Sequence, residues 1–232
     1  MLNIRRSGDR GHFKNDWLDS YHTFSFSSYY DPDFVQYGPL RVINQDIVNE
    51  SSGFGMHGHK DMEIFTYILS GTLEHQDSMG NKEQIKAGEV QIMSAGTGVM
   101  HSEYNPSKNA DVELLQIWVL PEQKDIKPRY AQKLFEPSEK LNQLRLVISP
   151  DETNGSLKIF QKTWVWASLL EKDKSVDYSI KHGSKTWLHV GYGKIQVNGE
   201  TLEKGDAVAI EGDKPVKIIG LEEKSDLVMI EV

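Results

Sequence analysis

The feature that most limits the folds open to this chain is its punctuation. Short β-rich runs recur, each ended by glycine, asparagine, aspartate or proline. Leu40-Arg41-Val42-Ile43-Asn44 is one such run. Ile64-Phe65-Thr66-Tyr67-Ile68-Leu69 is a second, followed by Gly71, and Leu114-Leu115-Gln116-Ile117-Trp118-Val119-Leu120 is a third, closed by Pro121. Helix signals are sparse. Several short strands at this spacing predict an all-β sandwich or barrel. With 232 residues the chain is long for one such barrel and long enough for two.

The stretch up to about residue 38 is rich in aromatics (Trp17, Tyr21, Phe24, Phe26, Tyr29, Tyr30) and irregular in pattern, and these rings are expected to pack over a barrel end. Pro121 to Pro137 reads as a linker, and a second β-rich region starts at about Leu144. The expected division is an N-terminal domain over 1–125, a linker over 126–143, and a C-terminal domain over 144–232. The halves share a grammar. Gly71-Thr72-Leu73-Glu74-His75 leads through a turn to Ile85-Lys86-Ala87-Gly88-Glu89. Gly193-Lys194-Ile195-Gln196-Val197 leads through Asn198-Gly199, a strong hairpin signal, to Leu202-Glu203-Lys204-Gly205-Asp206. This pattern suggests an internal duplication.

Composition removes several kinds of chemistry. The chain has no cysteine, which excludes disulfides, thiolate metal sites and a cysteine nucleophile, so a metal would need nitrogen and oxygen ligands. The net charge of −8, with no basic cluster, argues against direct nucleic-acid binding. No apolar run approaches the roughly 20 residues of a membrane span. The first residues, Met1-Leu2-Asn3-Ile4-Arg5-Arg6, lack a secretory apolar stretch, so a cytoplasmic location is expected.

Two short motifs carry the chemistry. His57-Gly58-His59 puts two imidazoles at i and i+2, and His101-Ser102-Glu103 puts an imidazole and a carboxylate at the same spacing. On a strand, such residues share a face. On neighbouring strands the four would converge as three nitrogens and one oxygen. A metal taking five or six ligands then keeps one or two positions open, as catalysis requires. The set suits Fe(II), Mn(II), Ni(II) or Cu(II) without choosing among them. A lone His-x-His is more often a hydrogen-bonded or surface pair, so the weight rests on the two motifs together. His12, His22 and His75 are single histidines, each read as structural. His182 and His189 match neither motif and are read as surface or core residues.

These residues resemble a known family. Gly53-Phe54-Gly55-Met56-His57-Gly58-His59 with Glu63 and Gly71 resembles the first cupin motif, and Gly88, Gly96, Gly98, His101 and Asn105 resemble the second. The resemblance is closer to the pirin branch. It includes Trp17-Leu18-Asp19-Ser20, Thr23-Phe24-Ser25-Phe26, Tyr30-Asp31-Pro32, Leu40-Arg41-Val42-Ile43-Asn44 and Met62-Glu63-Ile64-Phe65-Thr66-Tyr67. It continues through Glu74-His75-Gln76-Asp77-Ser78 and Ser94-Ala95-Gly96-Thr97-Gly98. It implies two tandem cupin domains, each a double-stranded β-helix or jelly roll. It also implies His57, His59, His101 and Glu103 as metal ligands, with a second role for Glu103 as general base. General cupins take their carboxylate near Glu63, whereas the pirin pattern places it at Glu103, which leaves Glu63 a supporting role. Gly58 stands where pirins usually carry proline, which loosens the backbone between two ligands.

Similarity to bacterial pirins implies quercetin 2,3-dioxygenase activity, with Fe(II) as the first choice of metal and Cu, Ni or Mn as alternatives. The expected partners are a flavonol and O2, with release of carbon monoxide. The competing reading is a metal-binding regulator of transcription or of a metabolic enzyme, acting through protein–protein contact. A deep metal pocket favours the enzyme. Phe54, Met56 and Tyr67 are pocket candidates by proximity, although period-2 alternation sets Met56 on the face opposite His57.

Overall fold

The structure is a computed structural model that describes residues 2–182, 185–212 and 215–232. The apolar runs become strands throughout. Among the described residues the α-helical content is one short segment, α1 (Pro137–Lys140), besides two turns of 3-10 helix. The chain divides into two units. One holds residues Gly11–Leu134 and Ile159–Gln161; the other holds residues up to Arg10, Phe135–Lys158 and Lys162–Val232.

In chain order the strands are β1 (Leu2–Arg5), β2 (Gly11–Lys14), β3 (Leu18–His22), β4 (Leu40–Val48), β5 (Gly53–His59), β6 (Glu63–Ser70), β7 (Thr72–Asp77), β8 (Lys82–Lys86), β9 (Glu89–Ser94), β10 (Val99–Tyr104), β11 (Val112–Val119) and β12 (Arg129–Leu134). They continue with β13 (Arg145–Ser149), β14 (Leu157–Lys158), β15 (Trp164–Leu170), β16 (Ser175–Tyr178), β17 (Lys185–Tyr192), β18 (Lys194–Val197), β19 (Glu200–Glu203), β20 (Ala207–Glu211), β21 (Val216–Gly220) and β22 (Ser225–Glu231).

The N-terminal unit has a seven-stranded sheet, β12-β9-β6-β11-β4-β3-β2, and a four-stranded sheet, β5-β10-β7-β8. The inward face of the larger sheet changes character along its strands. At one end Val48, Ile68, Val112 and Leu114 pack with Leu73 and Ile85 into an apolar cluster. Further along, the same face carries Asn44 and Asp46 on β4, Thr66 on β6, and Gln116 and Trp118 on β11. The register sets Gln116 opposite both Asn44 and Thr66. The apolar end supplies a core, and the polar end can hold a site.

The C-terminal unit repeats this arrangement, with a larger sheet β1-β20-β17-β22-β15-β13-β14 and a smaller one β16-β21-β18-β19. Strands β6 to β9 correspond in order to β17 to β20. Gly71 and Gly193 occupy equivalent turns at φ 81° and 79°. A Cβ on either would meet a carbonyl oxygen, of Asp111 at 2.6 Å or of Lys224 at 2.4 Å. Glycine therefore suits both turns on two grounds. Asn198 and Gly199, both at positive φ, make the tight turn between β18 and β19.

Two stretches differ from the sequence expectation. The segment 126–143, read as a linker, contains β12, which pairs with β9 along its whole length, and also α1. β12, Arg129 to Leu134, is half-buried on both faces, as at a sheet edge, so it carries no apolar period. The opening stretch is less irregular than expected. It forms β1, β2 and β3, and β1 pairs with β20 in the C-terminal unit.

Candidate metal centre

Strand parity and register assemble the site. His57 and His59 alternate with outward residues on β5, where Met56 is 53% exposed. β10 pairs with β5 so that His101 lies opposite His57. The register then slips between His101 and Glu103, which sets Glu103 opposite Phe54. The extra residue lies on β5, between Phe54 and His57, and it turns Phe54 to the cavity side with His57 and His59. Close contact between the strands is made possible by Gly53, where a Cβ would stand 2.2 Å from the Glu103 carbonyl oxygen.

The three imidazoles converge. Ligand atoms from His57, His59 and His101 lie within 4.8 Å of one another. His57 Nε2 and His101 Nε2 are 3.0 Å apart. Two nitrogens each about 2.1 Å from a shared ion, at an angle of about 90°, would stand about 3.0 Å apart, so the spacing fits a metal. His57 Nδ1 donates to the Gly55 carbonyl at 2.8 Å, which leaves its Nε2 lone pair facing the centre. Burial, followed by the neighbouring histidines, lowers His59 to about 4 and His101 to about 3, so both are neutral with free lone pairs at pH 7.

Glu103 is buried beside them. Its two oxygens accept hydrogen bonds from Gln91 Nε2 at 3.1 Å and Gln116 Nε2 at 2.7 Å. Thr66 Oγ1 links the amides, accepting from Gln91 at 3.1 Å and donating to Gln116 at 3.3 Å. The carboxylate is thus oriented by residues from three strands of the opposite sheet. By atomic proximity Glu103 groups with His101 and His75 rather than with the full triad. His75 is therefore not the isolated residue expected from sequence. It sits between His101 and Asp77.

Glu63 is 1% exposed. Its Oε2 accepts from Ser94 Oγ at 2.9 Å and from the Phe160 amide at 3.2 Å, which fits the supporting role. His12 pairs with Asp19 at 2.7 Å. His22 borders the cavity described next. In the other unit His182 stacks on Trp164 with centroids 4.1 Å apart, and His189 is fully buried.

A cavity of about 490 Å³ opens onto His57, His59 and Glu103. This is within the roughly 300–1,000 Å³ of small-molecule sites. Its walls are aromatic. Trp17 meets Phe54 edge-on at 5.1 Å, and Trp118 meets Phe26 at 5.5 Å and His59 at 4.8 Å. Of the proximity candidates only Phe54 lines it; Tyr67 is buried away from it. Sequence reasoning did not find Asn44, Asp46, Gln91, Gln116 or Trp118. Asn44 Oδ1 and Trp118 Nε1 are buried with no hydrogen-bond partner among the described residues. Asp46 hydrogen-bonds Ser20, and burial, with the charge of Glu103, raises it to about 7.

No helix among the described residues is long and apolar enough to cross a membrane. The Pirin family model matches residues 3–119, and the model of the quercetinase C-terminal cupin domain matches residues 146–232. The two sandwiches are therefore cupin domains. The chain is 48% identical to the quercetin 2,3-dioxygenase of Escherichia coli K12, over 94% of this chain and 93% of that one. It is 45% identical to a putative quercetin 2,3-dioxygenase of Pasteurella multocida, over 94% of each. The crystal structure of the E. coli pirin YhhW in complex with nickel(II) superposes with a TM-score of 0.93 at 45% identity, covering 100% of this chain and 99% of that one. With its two cupin domains and a histidine triad suited to a metal, the chain belongs to the pirin family.

Proposed function

We propose that the chain is a metal-dependent dioxygenase that opens flavonols such as quercetin with O2 and releases carbon monoxide. The observation that carries this reading is the aromatic cavity of about 490 Å³ that ends on Glu103 and on two histidines of the triad, His57 and His59. The named activity of the similar E. coli protein supports it. A divalent metal held by His57, His59, His101 and Glu103, Fe(II) by preference with Ni, Cu or Mn as alternatives, would supply Lewis-acid polarisation of the flavonol 3-hydroxyl and a redox path to O2.

The side chains do the rest. Trp17, Phe26, Phe54 and Trp118 enclose planar rings and exclude water from the reacting carbons. Trp118 Nε1 offers a donor and Asn44 Oδ1 an acceptor, and a polyhydroxylated ring system supplies partners for both. Glu103, fixed by Gln91 and Gln116, keeps lone pairs free to take the 3-hydroxyl proton as general base. The oxyanion so formed is the form of the flavonol ring that O2 attacks.

The test is quercetin turnover by protein of measured metal content, with carbon monoxide detected and a metal-free control. Metal-dependent carbon monoxide release is expected. Bound metal without turnover across iron, manganese, nickel and copper would overturn the enzymatic reading in favour of a regulator.

A further inference from the structure

The chain contains a third alternate pair, His75-Gln76-Asp77 on β7. β7 flanks β10 on the side away from β5, with Asp77 opposite His101 and His75 opposite Glu103. Both side chains of the pair are fully buried. His75 Nε2 lies 3.1 Å from Asp77 Oδ2, and His75 Nδ1 lies 3.5 Å from His101 Nδ1. The Tyr130 ring stacks on the His75 imidazole at 4.6 Å and fixes its plane. Asp77 is anchored as well. Its Oδ1 accepts from the Met79 and Asn81 amides at 2.9 and 3.1 Å, and its Oδ2 accepts from Asn81 Nδ2 at 2.7 Å.

We propose that Asp77 and His75 are positioning residues that set the tautomer of His101 and so aim its Nε2 lone pair at the metal. The direction of each hydrogen bond follows from the one before. An ionised carboxylate only accepts, so His75 donates from Nε2. A neutral His75 then has its lone pair on Nδ1, and His101 must present Nδ1–H to it. That leaves Nε2 of His101, the nitrogen 3.0 Å from His57 Nε2, without a proton. The Gly55 carbonyl does the same for His57 in one step. Carboxylates behind ligand histidines orient the ring and raise its basicity; here the carboxylate acts through a second imidazole. The inference rests on the metal-site reading above.

The tautomers can be read without any metal. Long-range proton–nitrogen NMR of the metal-free protein is expected to show His75 protonated at Nε2 and His101 protonated at Nδ1. A wild-type His101 protonated at Nε2 would overturn the proposal. Asp77→Asn is the sharper perturbation. The new amide can keep the Met79 and Asn81 backbone bonds through its oxygen while offering N–H to His75, which reverses the order and protonates His101 Nε2. The proposal expects that switch in the spectrum, and a 10–100-fold weaker nickel(II) affinity by competition titration for Asp77→Asn and for His75→Leu. Folded variants with unchanged tautomer and unchanged nickel(II) affinity would refute it. If Asp77→Asn does not fold, the wild-type spectrum decides. A wild-type protein that binds no nickel(II) would sink the metal-site reading and leave the tautomer result standing.

Discussion

Replacing Glu63 by glutamine separates the supporting carboxylate from the proposed ligand carboxylate. Glu63 has an ordinary pKa of 4.5, and burial raises it to about 7 against the opposing hydrogen bonds from Ser94 and Phe160 and the charge of Arg129. Between these values the folded chain holds a proton that the unfolded chain has lost. The contribution to stability is full below pH 4.5 and disappears as pH rises through 7. The gap corresponds to about 3 kcal/mol. Glutamine does not titrate, and its oxygen can accept both bonds. The assay is urea unfolding of the metal-free proteins from pH 4 to pH 8. Wild-type stability relative to Glu63→Gln should fall by about 3 kcal/mol over that range. His59 and His101, displaced downward, act in the opposite direction, but they are present in both proteins and cancel in the difference. A flat difference would refute the assignment of Glu63 as a buried, proton-holding support.

His57→Ala and His101→Ala should each lose most bound metal while circular dichroism stays unchanged, because the core at Leu73, Ile85 and Leu114 is remote in kind from the triad; normal metal content would remove them as ligands. Glu103→Gln should keep part of the metal and cut flavonol cleavage by about 10²-fold or more, the scale of general-base loss, and unchanged turnover would contradict that role. Gly53→Ala pushes a methyl group into the β10 backbone at Glu103. It should destabilise by about 1–3 kcal/mol and weaken metal binding; wild-type thermal stability would show that the close strand approach is not required.

The two motifs proposed to hold the metal were legible because they are local. Period-2 alternation alone sets His57 with His59 and His101 with Glu103. The support around them comes from strands distant in sequence, so no spacing reveals it. Gln116 and Thr66 could have been noticed as polar residues inside otherwise buried apolar runs, and Asn44 and Asp46 as the same on β4. His75-Gln76-Asp77 repeats the alternate pairing of the ligand motifs and was legible on that ground, yet a single histidine beside it reads as structural until His101 is seen 3.5 Å away. β12 escaped because an edge strand with two half-buried faces has no apolar period. The pairing of β1 with β20 joins residues about 200 positions apart, and neither strand carries a mark of the other.

His57, His59, His101 and Glu103 are proposed to hold one metal ion between them. Crystals of the metal-loaded protein, measured on both sides of the metal's absorption edge, test this directly. The expected result is a single anomalous peak about 2.0–2.2 Å from one nitrogen of each histidine and one oxygen of Glu103. A peak centred on His75, or a triad peak that Glu103 does not approach, would contradict it.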